Sequence, residues 1–397
     1  MNRRELALEA ARAVDAEELI RLTQALVRIE SYYPGPGEAP VVAYLEPYLR
    51  ARGFRTTVQE VAPGRLNLIA DLGEGPGGLI LEGHADVVTH GELSQWSVPP
   101  YEGRIVGGRI YGRGACDMKG GLAAAVVAAQ AVRRALGEPG RTLRLCIACD
   151  EEGLMSGIKA FIRAGYAQGF RGAIVCEPEE NRVCLWQKGA MRVWVEFWGK
   201  MAHGAMPYAG ANPIPSASRF VLALQGLQRA LQAESQHPYL GLPWITPTVF
   251  EARAGEDQFN VIPGQLRLGL DVRTNPDQAH PELRRRMEGL LQESLEPGIR
   301  ATLEVFEDRP ATETPREAEV VRAVEEGLGL LGLPLRYGGV PGATDGTFLA
   351  AWAGLPVVVL GPGGQTVPHQ ADEFIEIEEL IAAARIYAAA SVLMLWP

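Results

Sequence analysis

Apolar runs and helical stretches alternate in the first part of the chain. Asp15, followed three positions later by Glu18, has the pattern of a capping box and predicts a helix to about Arg28. A second helical stretch covers 39–52. Short apolar runs at 66–71, 79–82, 142–148 and 173–176 predict strands, and between the second and third lies a helix of small residues, 121–136. Short apolar strands alternating with helices predict a mainly parallel sheet covered on both faces.

From about Gln187 the rhythm changes. Residues 191–198 alternate apolar and polar, as a half-buried strand does. A helix follows at 214–234, then strands at 245–254 and 265–274, a helix at 281–295 and a strand at 301–307. That βαββαβ order predicts a ferredoxin-like unit. After Asp308 the first rhythm returns, with a helix from about Arg316, a strand at 356–360 and a last helix from about Ile377. The chain therefore reads as an α/β domain, 1–186 and 309–397, into which an α+β domain, 187–308, is inserted.

Composition narrows the function without choosing it. A chain of 397 residues is long enough for two domains, and 47% hydrophobic with 22% charged residues is ordinary for a globular enzyme. The net charge of −10 argues against a nucleic-acid partner, which would want a basic face. The N-terminal stretch is polar, without the apolar core of a signal peptide, and no run approaches the roughly 18 apolar residues of a membrane span. Five cysteines (Cys116, Cys146, Cys149, Cys176, Cys184) are an odd count without zinc-finger spacing, which predicts buried free thiols and a cytoplasmic location.

The chemistry lies at the ends of the apolar runs. The run at 79–82 leads into His84 and Asp86, that at 142–148 into Asp150, Glu151 and Glu152, that at 173–176 into Glu177, and that at 356–360 through a Gly-rich turn to His369. Asp117 stands just before the small-residue helix. Sites in open α/β sheets form beyond the carboxyl ends of strands, so these groups are placed to converge. Imidazole and carboxylate together suit Zn²⁺, and also Co²⁺ or Mn²⁺. Two ions need a bridging carboxylate, a histidine each and a further acid each. The chain holds that inventory with one glutamate to spare, and a spare carboxylate beside the ions is what a general base requires. Singly, each group reads as blandly as a helix N-cap or a loop histidine. Their joint placement in this order does not.

At these residues the chain resembles the family of acetylornithine deacetylase, succinyl-diaminopimelate desuccinylase, aminoacylase and glutamate carboxypeptidase. The matching stretches are GHADVV, GRGACDMKGG, ACDEEGLMSG, VCEPEE and PHQADEF, and the likeness spans the chain, inserted domain included. The resemblance implies two divalent ions, Zn²⁺ foremost. His84, Asp117 and Glu177 would hold one, and Asp117 (bridging), Glu152 and His369 the other. It further implies that Asp86 bonds His84 and fixes its tautomer. Glu151 would be the general base acting on a metal-bridging water.

In the inserted domain, Gly199-Lys200-Met201-Ala202-His203-Gly204 resembles the family stretch whose histidine stabilises the oxyanion, in dimeric members from the partner subunit. This makes the domain a lid and dimerisation unit and the protein a homodimer. Asn260 and Arg273 resemble family substrate contacts, Arg273 having a fork that pairs with carboxylate. The loop of Thr344 resembles the desuccinylase's Gly-Gly-Thr-Ser-Asp-Gly but is one residue shorter, and implies Thr344 as a substrate contact. His90, His237 and His280 have no motif context and read as structural or surface residues. In this family a glutamate at 177 accompanies deacylases and carboxypeptidases, and an aspartate the aminopeptidases. The activity implied is removal of an N-acyl group, acetyl or succinyl, from an amino acid. The alternative is a carboxypeptidase or dipeptidase cutting beside a free carboxylate. A relative that only bound its ligand would have lost the base or a metal ligand, and all six positions are filled.

Overall fold

The structure, a computed structural model, describes residues 2–252, 254 and 258–396. The chain divides into two compact units, Met1–Leu185 with Thr314–Gly339 and Thr344–Pro397, and Trp186–Glu313 with Val340–Ala343.

In the first unit the sheet order is Arg55–Ala62, Arg65–Leu72, Leu143–Ala148, Gly78–His84, Phe170–Val175, Val357–Val359 and Val183–Gln187, the last strand carrying the chain into the second unit. The four strands from Leu143–Ala148 to Val357–Val359 are mutually parallel. The flanks are not: Arg65–Leu72 pairs antiparallel with both its neighbours, and Val183–Gln187 runs antiparallel to Val357–Val359. The sheet is therefore mixed rather than mainly parallel. One reason is a hairpin turning at Pro63-Gly64, where Gly64 has φ 76°. Its first strand, Arg55–Ala62, is polar and half-exposed and carries no apolar run to announce it.

The central strand Gly78–His84 is buried throughout, and helices Gly120–Leu136 and Ile377–Leu395 pack on it and on each other. Small residues make that approach possible. A Cβ on Gly121 would lie 2.1 Å from the carbonyl oxygen of Cys176, so only glycine lets this helix start against the strand that ends before Glu177. By length and composition the stretch Ala115–Leu136 could cross a membrane, which the sequence reading did not anticipate. In this fold 94% of its most apolar window is buried inside the protein, the environment of a core helix. All five cysteines are buried and free.

The second unit has a four-stranded antiparallel sheet in the order Trp244–Ala252, Gln265–Thr274, Gly189–Trp198 and Arg300–Arg309. With helices Pro213–Glu234 and His280–Glu293 this is the βαββαβ arrangement of a ferredoxin-like unit. Its core follows from two periods. Met191, Val193, Val195 and Phe197 alternate on one sheet face, and Phe220, Leu224, Leu227 and Leu231 recur every three or four residues on a helix. Asn212 caps that helix, its side chain accepting the Ile214 N–H, with Pro213 at the first position. Of the strand expected over 245–254, position 253 lies outside the described residues.

Candidate metal and active site

The parallel strands end level with one another. His84 is in register with Ala148, and Val175 with both Glu82 and Val359. Whatever follows these strands therefore meets at one edge. His84 is the last residue of its strand, Glu151 and Glu152 follow Ala148 by three and four positions, Glu177 follows Val175 by two, and His369 comes after a loop from Val359. Asp117 enters from the break in the turn Ala115–Lys119 that precedes the small-residue helix.

Asp117 lies between the histidines: its Oδ1 is 3.1 Å from His84 Nε2 and its Oδ2 is 3.4 Å from His369 Nε2. Beside His84 is Glu177, with Oε1 3.5 Å from Nε2; beside His369 is Glu152, with Oε1 2.9 Å from Nε2. Glu151 joins His84 and Glu177, with one donor atom of each within 4.8 Å of the others. Among the described residues these six side chains form two overlapping metal-sized groups of nitrogen and oxygen donors.

The surroundings orient them. His84 Nδ1 faces the backbone carbonyl of Asp86 at 2.9 Å. A carbonyl only accepts, so Nδ1 carries the proton and Nε2 offers its lone pair to the cluster. The Asp86 carboxylate is 3.6 Å from Nδ1, beyond hydrogen-bond distance, and instead accepts the N–H groups of Glu151 (3.2 Å) and Glu152 (3.1 Å). This corrects the expectation for Asp86: its carboxylate holds the backbone of the Glu151–Glu152 turn, and its carbonyl holds the histidine. Glu373, within a motif quoted from the sequence but given no role there, accepts the N–H groups of Cys116 (2.9 Å) and Asp117 (3.0 Å) and is held by Arg113 Nη1 at 2.5 Å. The signal for Glu373 was its place in PHQADEF. Nothing in the spacing paired it with Arg113.

The site is crowded with negative charge. Burial, and next the charge of Glu177, push Glu151 well above the usual carboxylate range. Burial and then Asp117 raise Glu177 to about 7, against the pull of His84. Burial lifts Asp86 to about 6 and Asp345, close by, to about 8. Burial would also raise Asp117, but hydrogen bonds from His369 and His84 hold it well below the usual range. His369 is raised to about 10 by its bonds to Asp117 and Glu152. Two imidazoles are too few cations for these carboxylates, and divalent ions among them fit both the charge and the donor types.

The other expected residues are placed as follows. In the first unit Thr344 is buried, its hydroxyl accepting the Gly346 N–H at 3.1 Å where helix Gly346–Ala351 begins. In the second unit His203 is exposed on the short strand Ala202–His203, paired with Val261–Ile262. Its Nδ1 accepts the Ala205 N–H at 3.0 Å, which leaves the proton on Nε2. Asn260 is exposed, and its carbonyl accepts the Gly204 N–H at 2.6 Å. Arg273 grips Asp271, two residues back on its own strand, through Nε (2.7 Å) and Nη2 (3.1 Å). His280 bonds Thr274 and Asp308, His237 accepts the Tyr239 and Leu240 N–H groups, and His90 bonds the Gly91 carbonyl.

The sequence profile of peptidase family M20/M25/M40 matches residues 80–392. The chain is 31% identical over 358 residues to an acetylornithine deacetylase of Vibrio cholerae, covering 89% of this chain and 91% of the relative. It is 30% identical over 391 residues to a succinyl-diaminopimelate desuccinylase of a Bradyrhizobium, covering 93% and 97%. Among solved structures, an M20 family metallo-carboxypeptidase from Sulfolobus solfataricus has a TM-score of 0.76 at 19% identity, covering 95% of this chain and 99% of its own. A dinuclear metal-binding peptidase of the same family from Bacillus subtilis has a TM-score of 0.71 at 18% identity, covering 96% and 98%. These structures share the fold, and the sequence matches carry the family. The chain belongs to peptidase family M20/M25/M40 and is a hydrolase of that family.

Proposed function

We propose that this protein is a two-metal amidohydrolase that removes an acetyl or succinyl group from the nitrogen of an amino acid. The observation that carries the reading is Asp117, with one carboxylate oxygen towards each histidine and a further glutamate beside each pair. His84, Asp117 and Glu177 would hold one ion and Asp117, Glu152 and His369 the other. Zn²⁺ is the ion such donors favour, with Co²⁺ or Mn²⁺ as alternatives. When bound, these ions supply Lewis acidity towards the scissile carbonyl and make water more acidic.

The chain's own groups supply the rest. Glu151 is surplus to the ligand set, and its carboxylate takes the proton from the attacking water and passes it to the leaving nitrogen. Its raised affinity for a proton, set by burial and by Glu177, suits that task in the metal-free geometry. His203, with its proton on Nε2, has a donor for the oxyanion that develops at the carbonyl. Arg273 would exchange Asp271 for the substrate's free carboxylate, keeping the same two-pronged contact.

Hydrolysis of a panel of N-acetyl-amino acids, N-succinyl-amino acids, their carboxamides and dipeptides, with Zn²⁺, Co²⁺ and Mn²⁺ compared, tests the reading. The free acids of the acyl series should be preferred, and that preference should collapse in Arg273→Ala. Faster turnover of dipeptides would make the protein a carboxypeptidase or dipeptidase, and a preference for unblocked amino groups would remove the deacylase reading.

A homodimer in which His203 serves the neighbouring subunit's site belongs to the same proposal. Mixed under subunit exchange, His203→Ala and Glu151→Ala chains should regain activity that neither has alone, because a hybrid holds one intact site. A monomeric enzyme, or full activity in His203→Ala, would rule that arrangement out.

A further inference from the structure

Glu151 and Glu152 are consecutive, and consecutive residues of an extended chain point to opposite sides. Both nevertheless reach the same cluster around His84. The chain achieves this by turning at Asp150, which adopts a left-handed conformation with φ 63°. That conformation is uncommon outside glycine and persists where the surroundings over-determine it.

A buried group of charges surrounds that residue. The Arg65 guanidinium binds both oxygens of Glu38, Nε at 3.0 and 2.8 Å and Nη2 at 2.6 Å, and reaches Asp150 Oδ1 at 3.1 Å with the same Nη2. Glu38 also accepts the Asp150 N–H at 3.1 Å. The other Asp150 oxygen accepts the Ser156 N–H (3.2 Å) and hydroxyl (2.5 Å), and the Asp150 carbonyl accepts the Met155 N–H at 2.6 Å. The Tyr33 ring lies 4.4 Å beneath the guanidinium. Glu38 is fully buried, and Arg65 and Asp150 are 9% and 8% exposed. None of the three points a group at the donor cluster, and the reaction as described uses none of them. A buried ion pair is a poor source of net stability compared with apolar packing, so its use here is better sought in geometry.

We propose that Arg65 is a positioning residue: acting through Asp150, it holds the turn that delivers Glu151 and Glu152 together to the site. Asp86 grips the same turn from the site side, by the Glu151 and Glu152 N–H groups, while Arg65 and Glu38 grip it from behind. The role rests on the reading of Glu151 as base and Glu152 as ligand, but its test does not depend on activity alone.

The test is hydrogen exchange of the full-length protein, Zn²⁺-loaded and after chelation, with kcat and KM measured on the best substrate of the acyl-amino-acid panel. In Arg65→Met, amides across 149–156 should exchange about ten-fold faster or more, with the remaining core unchanged. The loss in kcat should be roughly 10–100-fold, the usual cost of removing a partner that orients a metal ligand, with KM within about three-fold. Arg65→Lys, which keeps the charge and loses the fork, should fall between. Asp150→Asn combined with Arg65→Met should cost no more than the worse single change, because both act through one contact. Should Arg65→Met fail to fold, Arg65→Lys and Asp150→Asn carry the same comparison.

Unchanged exchange at 149–156 in a folded variant, faster exchange spread over the whole unit, or strictly additive losses would each overturn the proposal. If the wild-type enzyme turns over no member of the panel, the deacylase reading fails while the exchange result still decides the role of Arg65.

Discussion

At the scale of single residues, the donor set could be read from spacing because each donor follows the end of an apolar run. His84, Glu152, Glu177 and His369 were found in that way, and Asp117 by its place before the small-residue helix. What these side chains bond to could not be read so. The carboxylate of Asp86 was expected on His84 and lies on two backbone amides, since which acceptor faces which donor depends on the turn at Asp150. The pairing of Glu373 with Arg113 joins residues 260 positions apart and is equally invisible to local pattern.

The charge crowding has a measurable consequence in the metal-free protein. Asp86, Glu177 and Asp345 have folded-state affinities raised to about 6, 7 and 8, above those of an unfolded chain. Between about pH 4 and 8 the folded protein therefore holds more protons than the unfolded one, and stability must fall as pH rises. His369, raised to about 10, acts in the same direction: the stability it lends is complete below about pH 6.5 and is lost towards pH 10. Asp117, held low, is ionised throughout this window and contributes no slope. Thermal unfolding of chelated and Zn²⁺-loaded protein from pH 5 to 8.5 should show Tm falling with pH in the first, and a gap that widens with pH. A gap that stays constant or narrows would show that the ions do not compensate these carboxylates.

At the scale of elements, the parallel strands were legible because each is a short apolar run between turn signals, and so was the alternation of Met191, Val193, Val195 and Phe197 in the second unit. The strand Arg55–Ala62 was not, because its residues are half-exposed and mostly polar and owe their strand state to pairing with Arg65–Leu72. That hairpin helps make the sheet mixed. The helix Gly120–Leu136 was legible as a helix, but the reason for its small residues lies in its packing. Replacing glycine by alanine within a helix ordinarily stabilises it by up to about 1 kcal/mol. At Gly121 the added methyl would meet the Cys176 backbone, so Gly121→Ala should instead destabilise the protein by about 1–3 kcal/mol. It should also weaken metal binding, because Asp117 and Glu177 lie at the two ends of that contact. Urea unfolding gives the sign directly, and an unchanged or higher midpoint would show that the helix does not need this approach.

At the scale of the whole molecule, the chain builds one unit that carries all six donors and a second that carries His203, Asn260 and Arg273. The first unit alone accounts for a water, a base and a polarised carbonyl. The central claim is that Glu151 is the base and is not needed as a ligand. Its most direct test is turnover by Glu151→Gln with the metal content determined on the same sample. The account predicts two bound ions per chain, as in the wild type, and a kcat lower by roughly 10²–10⁴-fold or more. Near wild-type turnover in a fully metal-loaded Glu151→Gln enzyme would contradict it, and so would a loss of activity that merely tracked a loss of metal.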